Sequence, residues 1–279
     1  MSALAREDEY DDDSDPGGTA LTNVRSTVTV VIPALNEARN LPAVAARMPD
    51  CVDEIVFVDG HSADDSIDVA RTLWPTAKIV MQTRRGKGNA LVCGFEAATS
   101  DIVVMIDADG STDPMEITLF VDALIAGADV VKGSRFAAGG GSTDITISRR
   151  MGNRALNAMV NRKFGATFTD LCYGYMAFWR CHLPTLTLPG VDLDEPQWGD
   201  GFEIETLINV RVHALGLTLV EVPSFESDRI HGESHLNAVS DGLRVLRTIF
   251  KERPPSRRTM RINAAKTAAA TAAVTGSPA

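Results

Sequence analysis

Two aspartates one residue apart, Asp107 and Asp109, stand directly after the apolar run of residues 102–106. That run has the length and β-branching of a buried strand. In extended chain, residues i and i+2 point the same way, so the two carboxylates converge on one point. Two anions held that close repel each other unless a cation lies between them. Carboxylate oxygens are hard ligands suited to Mg2+ or Mn2+, and Mg2+ is commonly held by one or two carboxylates together with substrate phosphates. The chemistry this implies is the handling of a metal-bound nucleotide. The competing reading is a strand that ends in an ordinary turn, because Gly110, Ser111, Asp113 and Pro114 are turn formers.

The elements needed to position such a pair recur upstream. Residues 28–32 are apolar and run into Pro33, Asn36 and Glu37, and residues 55–58 run into Asp59, His61, Ser62 and Asp64. Helical spacing follows each, through Leu41, Val44 and Met48 and then through Ile67, Ala70 and Leu73. A third apolar run, 78–81, meets Arg84, Arg85, Gly86, Lys87 and Gly88, which open a helical pattern containing Leu91 and Phe95. A helix over 115–126 precedes a fifth strand at 129–131. Strands alternating with helices imply an α/β fold with a mostly parallel sheet and right-handed crossovers. Ligands of such sheets bind beyond the carboxyl ends of the strands. The loops carrying Asn36, Glu37, Asp59, Lys87, Asp107 and Asp109 all leave from that edge.

Composition bounds the function. A chain of 279 residues accommodates one large domain, expected over 26–253. Residues 1–25 hold an acidic run from Glu7 to Asp15 and are expected to be disordered. Residues 254–279 read as a basic, then Ala/Thr-rich, disordered tail. A net charge of −10 argues against nucleic-acid binding. No apolar run approaches the roughly 20 residues needed to span a bilayer, and the start lacks a basic-then-apolar signal. Cys51, Cys93, Cys172 and Cys181 show no Cys-x-x-Cys spacing, so they read as reduced, mostly buried thiols of a cytoplasmic protein. His231 and His235 bracket Gly232 without a third ligand, and a zinc site is rejected.

Five motifs stand here in one order: Val31-Ile-Pro-Ala-Leu-Asn-Glu37, Val58-Asp-Gly-His-Ser-Ala-Asp-Asp-Ser66, Gly86-Lys-Gly-Asn-Ala-Leu91, Asp107-Ala-Asp-Gly-Ser111 and Lys132-Gly-Ser-Arg-Phe136. The series resembles the family 2 glycosyltransferases of GT-A fold, and within them the polyprenyl- (dolichyl-) phosphate hexosyltransferases. The resemblance implies inverting transfer of a hexose from a nucleotide diphosphate sugar, of the UDP-glucose or GDP-mannose class, with Mg2+ or Mn2+. By it Asp107 and Asp109 hold the metal, and Pro33, Asn36, Glu37, Asp59, Lys87, Gly88 and Ala108 bind the nucleotide. Arg135 and Arg149, with Asn153 beside them, are expected to hold the phosphate of a lipid acceptor. Asp170 lies in a segment lining the sugar and acceptor pocket, Glu203 and Glu205 lie near the acceptor, and residues 139–143 form a lid. The chain departs from the pattern at Gly60, where many relatives have a second Asp, and at Ser111, where the branch often has Gln. Ser is the weaker metal ligand.

Alternatives attach to particular residues. Glycines flanking Lys87 let backbone approach the nucleotide closely, while Glu37 also suits a helix cap. A saccharide hydroxyl as acceptor would need a base, and Asp170, Asp200 and Glu203 are the candidates. A noncatalytic nucleotide-binding module and a sugar-1-phosphate nucleotidyltransferase share the same sheet logic. Near the end, Leu236, Val239, Leu243, Leu246, Ile249 and Phe250 fall at helical spacing beside Arg244, Arg247, Lys251, Arg253, Arg257 and Arg258. The stripe is expected to pack on the domain with its arginines solvated. The basic cluster is expected to touch anionic lipid headgroups at the inner face of the plasma membrane.

Overall fold

The computed structural model describes residues 25–232 and 238–275. In the first strand, β1 (Val28–Ala34), Val28, Val30, Val31 and Ile32 are all inaccessible to solvent. Burial on both faces marks an inner strand of a sheet covered by helices on each side. The chain continues through α1 (Leu41–Ala46), β2 (Glu54–Asp59), α2 (Ser66–Leu73), β3 (Lys78–Met81), α3 (Lys87–Ala97) and β4 (Ile102–Met105). Then come α4 (Ile117–Ile125), β5 (Val130–Ser134), β6 (Gly141–Ser142), α5 (Ile147–Phe164) and β7 (Met176–Trp179). The last elements are α6 (Glu203–Leu215), β8 (Leu219–Pro223), β9 (Phe225–Glu226), α7 (Ala238–Lys251) and α8 (Arg257–Thr275).

The main sheet runs β3-β2-β1-β4-β7-β5-β8. Every strand is parallel to the others except β7, which pairs antiparallel with both β4 and β5. The expected mostly parallel sheet is therefore present, but β5 is not the direct neighbour of β4. One apolar core lies between the sheet and α3, α5, α6 and α7, and a second lies on the other face with α1, α2 and α4.

Three expectations fail. Residues 257–275 are helix rather than unstructured tail. Alanine has the highest helix propensity, and this helix is anchored where Asn263 Nδ2 donates to the His213 carbonyl at 2.6 Å. Its Ala270 and Val274 pack on the second core. The lid residues 139–143 are pinned, since β6 pairs with β9 and Gly141 N and Thr143 N donate to Ser224 O and Glu226 O. On α7 the apolar stripe splits: Val245 and Ile249 enter the first core, whereas Leu243 and Phe250 are exposed.

The basic cluster is also partly engaged. The Arg247 guanidinium and Lys251 ammonium lie 4.8 and 5.0 Å from the Trp198 ring, and Arg244 Nε lies 3.6 Å from Glu203. All four cysteines are free thiols, as expected, but only Cys93 is fully buried and Cys181 is exposed. The acidic run from Glu7 to Asp15 and His235 lie outside the described residues.

Candidate active site

A cavity of about 710 Å3 opens beyond the carboxyl ends of β1 and β4. Asp107 and Asp109 reach it from the loop after β4, where Ala108 and Asp109 already form a turn and not the extended chain that the sequence led us to expect. Asp109 is fixed by the Ser111 backbone N–H, which donates to its Oδ1 at 2.9 Å. Each aspartate meets a cation. Lys87, in the first turn of α3, places Nζ 2.6 Å from Asp107 Oδ1 and 2.8 Å from Glu205 Oε1. Burial disfavours the Lys87 charge, but the two carboxylates outweigh it and hold the ammonium above its ordinary range. Arg229 places Nη2 2.8 Å from Asp109 Oδ2 and Nη1 2.7 Å from Glu37 Oε1. Burial opposes that charge as well, and the Asp109 and Glu37 carboxylates again raise it. Sequence reasoning missed Arg229. It lies far along the chain from both partners, and only its cationic type hints at a role.

The nucleotide side is partly rearranged relative to expectation. Pro33, Leu35, Gly60 and Gln82 line the cavity beside Glu37 and Ala108. Asn36 sits at φ 59, its Oδ1 accepting from Ala63 N at 2.7 Å, and so braces the loop after β1 against the loop after β2. Asp59 is fully buried: Oδ2 accepts from Ser62 N, while Oδ1 has no hydrogen-bond partner among the described residues. The close approach at Gly86 and Gly88 is made by the chain itself. A Cβ at Gly86 would lie 2.1 Å from the Asp200 carbonyl oxygen, and one at Gly88 would lie 1.8 Å from that of Gly199. Gly88 N donates to Asp200 O at 2.7 Å. These glycines seat the segment before α6, and Gly86 and Lys87, but not Gly88, line the cavity.

On the acceptor side Arg135 is nearly buried. Its Nε and Nη2 donate to Asp170 at 2.7 and 2.9 Å, and its Nη1 donates to Glu226 at 2.9 Å. The guanidinium stacks 4.8 Å from the Tyr173 ring. Burial works against both charges of the Arg135–Asp170 pair. Their mutual hydrogen bonds and attraction prevail, raising the guanidinium and lowering the carboxyl. Asn153 Nδ2 also donates to Asp170, at 2.8 Å. Arg149, in the first turn of α5, lines the cavity with Ser148, Gly152 and Leu156 and makes an exposed pair with Asp144 at 2.9 Å.

The profile described as Glycosyl transferase family 2 matches residues 29–183, more than half of the chain. The chain belongs to that family. Undecaprenyl-phosphate mannosyltransferase from Micrococcus luteus is 32% identical over 220 residues, covering 75% of this chain and 87% of the relative. Polyprenol monophosphomannose synthase from Mycolicibacterium smegmatis is 29% identical over 232 residues, covering 80% and 84%. These relatives support the polyprenyl-phosphate hexosyltransferase branch. Glucosyl-3-phosphoglycerate synthase from Mycobacterium tuberculosis, solved with Mn2+, uridine diphosphate and glucosyl-3-phosphoglycerate, superposes with a TM-score of 0.61. It shares 23% identity over 83% of this chain and 82% of its own, a likeness of GT-A fold.

In this glycosyltransferase Pro33, Glu37, Lys87, Asp107, Ala108, Asp109, Arg135 and Arg149 all meet at the cavity. Asn36, Asp59, Gly88 and Asp170 stand behind its wall, bracing the residues in front. Asp200 is taken by Arg84, whose Nε and Nη2 donate to it at 2.9 and 2.8 Å. Glu203 is fully buried away from the cavity; its Oε1 accepts from Gly199 N, and its Oε2 has no hydrogen-bond partner among the described residues. No described helix is long and apolar enough to cross a membrane.

Proposed function

We propose that this glycosyltransferase transfers a hexose, with inversion, from a nucleotide diphosphate sugar to a polyprenyl phosphate, and that it uses Mg2+ or Mn2+. The acceptor class is carried by the two polyprenyl-phosphate relatives, and the withdrawal of the three carboxylates that the sequence offered as bases is in keeping with it. Asp170 is locked under Arg135, Asp200 is locked on Arg84, and Glu203 faces away; none of them lines the cavity. A sugar hydroxyl needs a base to take its proton, whereas a phosphate monoester arrives already anionic. The named activities of the two polyprenyl-phosphate relatives agree with this reading.

The donor set fits a divalent ion that shares its coordination with substrate. Asp107 and Asp109 offer oxygens into the cavity, and the remaining ligands would be phosphate oxygens. Bound there, the ion neutralises charge gathering on the leaving diphosphate. Lys87 and Arg229 are fixed cations aimed at the same place and add to that effect. An acceptor phosphate oxygen bonds to the anomeric carbon while the bond from that carbon to the diphosphate breaks and its electron pair leaves with the diphosphate. No proton has to move.

Arg149 is the more available of the two acceptor-side arginines, since Arg135 spends three nitrogens on carboxylates. A guanidinium fork binds phosphate bidentately. Ile145, Leu156 and Val245 continue the cavity wall between α5 and α7, and Ile147, Met151 and Leu243 are exposed on the same helices. α5 carries Arg149, Arg150, Arg154, Arg162 and Lys163 and no acidic residue. An apolar mouth rimmed by cations suits a lipid chain leaving an anionic membrane surface. It is a second candidate docking face beside the cluster from Arg244 to Arg258, of which Arg253, Arg257 and Arg258 are exposed.

Incubating the protein with labelled UDP-glucose or GDP-mannose, MnCl2 and undecaprenyl phosphate tests the reading. Label is expected in the organic phase and is lost in Asp109→Ala, whose thermal unfolding stays near that of the parent. Label carried to a saccharide, with none on the lipid, would overturn it.

A further inference from the structure

Two ion chains flank the cavity, each ordered carboxylate, cation, carboxylate. Lys87 lies between Asp107 and Glu205, and Arg229 lies between Asp109 and Glu37, at distances of 2.6 to 2.8 Å. Each cation thus spends one contact on a candidate metal ligand and another on a glutamate. Apart from Asp107, about a third exposed, these side chains are largely shielded from water, so their pairing is less screened than that of surface charges.

A bare divalent ion arriving here meets two positive charges already seated on the oxygens it needs. Two carboxylates are also a thin ligand set. Among the described residues no group of three or more His, Cys, Asp or Glu is placed to hold a metal. A diphosphate changes both terms. Its oxygens accept from Lys87 and Arg229, which releases Asp107 and Asp109, and it brings the ligands that the chain lacks.

We infer that Lys87 and Arg229 are resident counter-ions of the two aspartates and that the metal loads together with the nucleotide diphosphate, not ahead of it. Glu205 and Glu37 are then positioning residues: each keeps its cation in place while that cation passes from aspartate to phosphate. The inference rests on the reading of Asp107 and Asp109 as metal ligands.

The test is direct titration with MnCl2, following free Mn2+ by electron paramagnetic resonance, alone and with UDP or GDP present, the Mn2+ taken up by each nucleotide in a protein-free titration being subtracted. In the parent protein Mn2+ is expected to bind at least about tenfold more tightly with one of the nucleotides than alone. Arg229→Gln should tighten nucleotide-free Mn2+ binding by about tenfold, equivalent to about 1.4 kcal/mol, because a competitor for Asp109 is gone. Glu37→Gln should leave nucleotide-free binding weak, because Arg229 stays on Asp109, while nucleotide affinity falls. Equal Mn2+ affinity with and without nucleotide would overturn the inference, and so would an Arg229→Gln protein whose nucleotide-free affinity is unchanged. The metal-ligand reading fails differently, and takes the inference with it, if Mn2+ binds in neither condition or binds undiminished in Asp109→Ala. The comparison in the parent protein needs no substitution, so a variant that does not fold leaves the test intact.

Discussion

Arg84 grips Asp200 through two parallel hydrogen bonds, and both side chains are almost wholly buried. Its Nη1 also donates to the carbonyls of Gly190 and Leu193, tying the segment before α6 to the start of α3. Removing one partner of a buried pair strands the other charge and costs about 3–5 kcal/mol. Arg84→Ala is expected to lose stability of that order in chemical denaturation. Arg84→Lys should recover little of it, because an ammonium cannot reproduce the fork.

Two buried carboxylates behind the cavity wall should differ in what neutral substitution does to turnover. Asp170→Asn turns an acceptor of bonds from Arg135 and Asn153 into a partial donor, so a loss of about 1–3 kcal/mol and a higher acceptor KM are expected. Glu203→Gln keeps an acceptor for Gly199 N but gives up the 3.6 Å ion pair of Oε2 with Arg244, so a loss of about 1–3 kcal/mol with retained turnover is expected. A collapse of kcat in Glu203→Gln would restore the saccharide-hydroxyl reading.

Cys172 lines the cavity, yet burial, followed by the nearby Glu205 and Asp170 carboxylates, pushes its thiol up to about 12. The thiolate is the reactive form. Iodoacetamide at pH 8 should therefore label the exposed Cys181 and spare Cys172, as read by peptide mass spectrometry.

Glu54 gives an acid limb to stability. Burial raises its carboxyl, but Lys78, Thr29 and Thr99 overcome this and lower it to about 2. A depressed carboxyl contributes stability that is complete above its ordinary pKa of about 4.3 and is lost as pH falls toward about 2. Urea midpoints of Glu54→Gln should accordingly lie below those of the parent at pH 6 and approach them as the pH is lowered through that window.

Binding to anionic vesicles should be weak, reversible and salt-sensitive, each near-surface cation adding about 1 kcal/mol. Replacing Met151 and Leu243 with Asp should reduce cosedimentation more than replacing Arg247 and Lys251, which already stack on Trp198. The reverse ranking would assign docking to the cluster from Arg244 to Arg258.

The legible parts of this fold are those with a local period. Strands β1, β2 and β4 announce themselves because parallel strands are apolar on both faces, and Asp107 and Asp109 are legible because they follow such a strand, although a turn and not the two-residue period brings both to the cavity. Arg229 carries no such sign, since its contacts with Glu37 and Asp109 exist only after distant segments meet. Gly86 and Gly88 declare that something comes close but not what, and the occupant is the backbone of Gly199 and Asp200. The residues of α8 read as low complexity, although alanine content is itself a helix signal. Met176–Trp179 is too short to be told from a buried helical turn.

That short strand governs how the protein can be made. β7 fills the gap between β4 and β5 but follows α5 in the chain, so a ribosome delivers the gap well before its filler. Until then Ile102, Val103, Val104 and Met105 present an apolar edge with one side unpaired, a template for any other nascent strand. Closing the gap is a non-local pairing, slow by its loop-closure cost. A chain cut before residue 176 is thus expected to aggregate or to stay on chaperones. Any split or fused version of this enzyme should keep residues 28–183 in one piece.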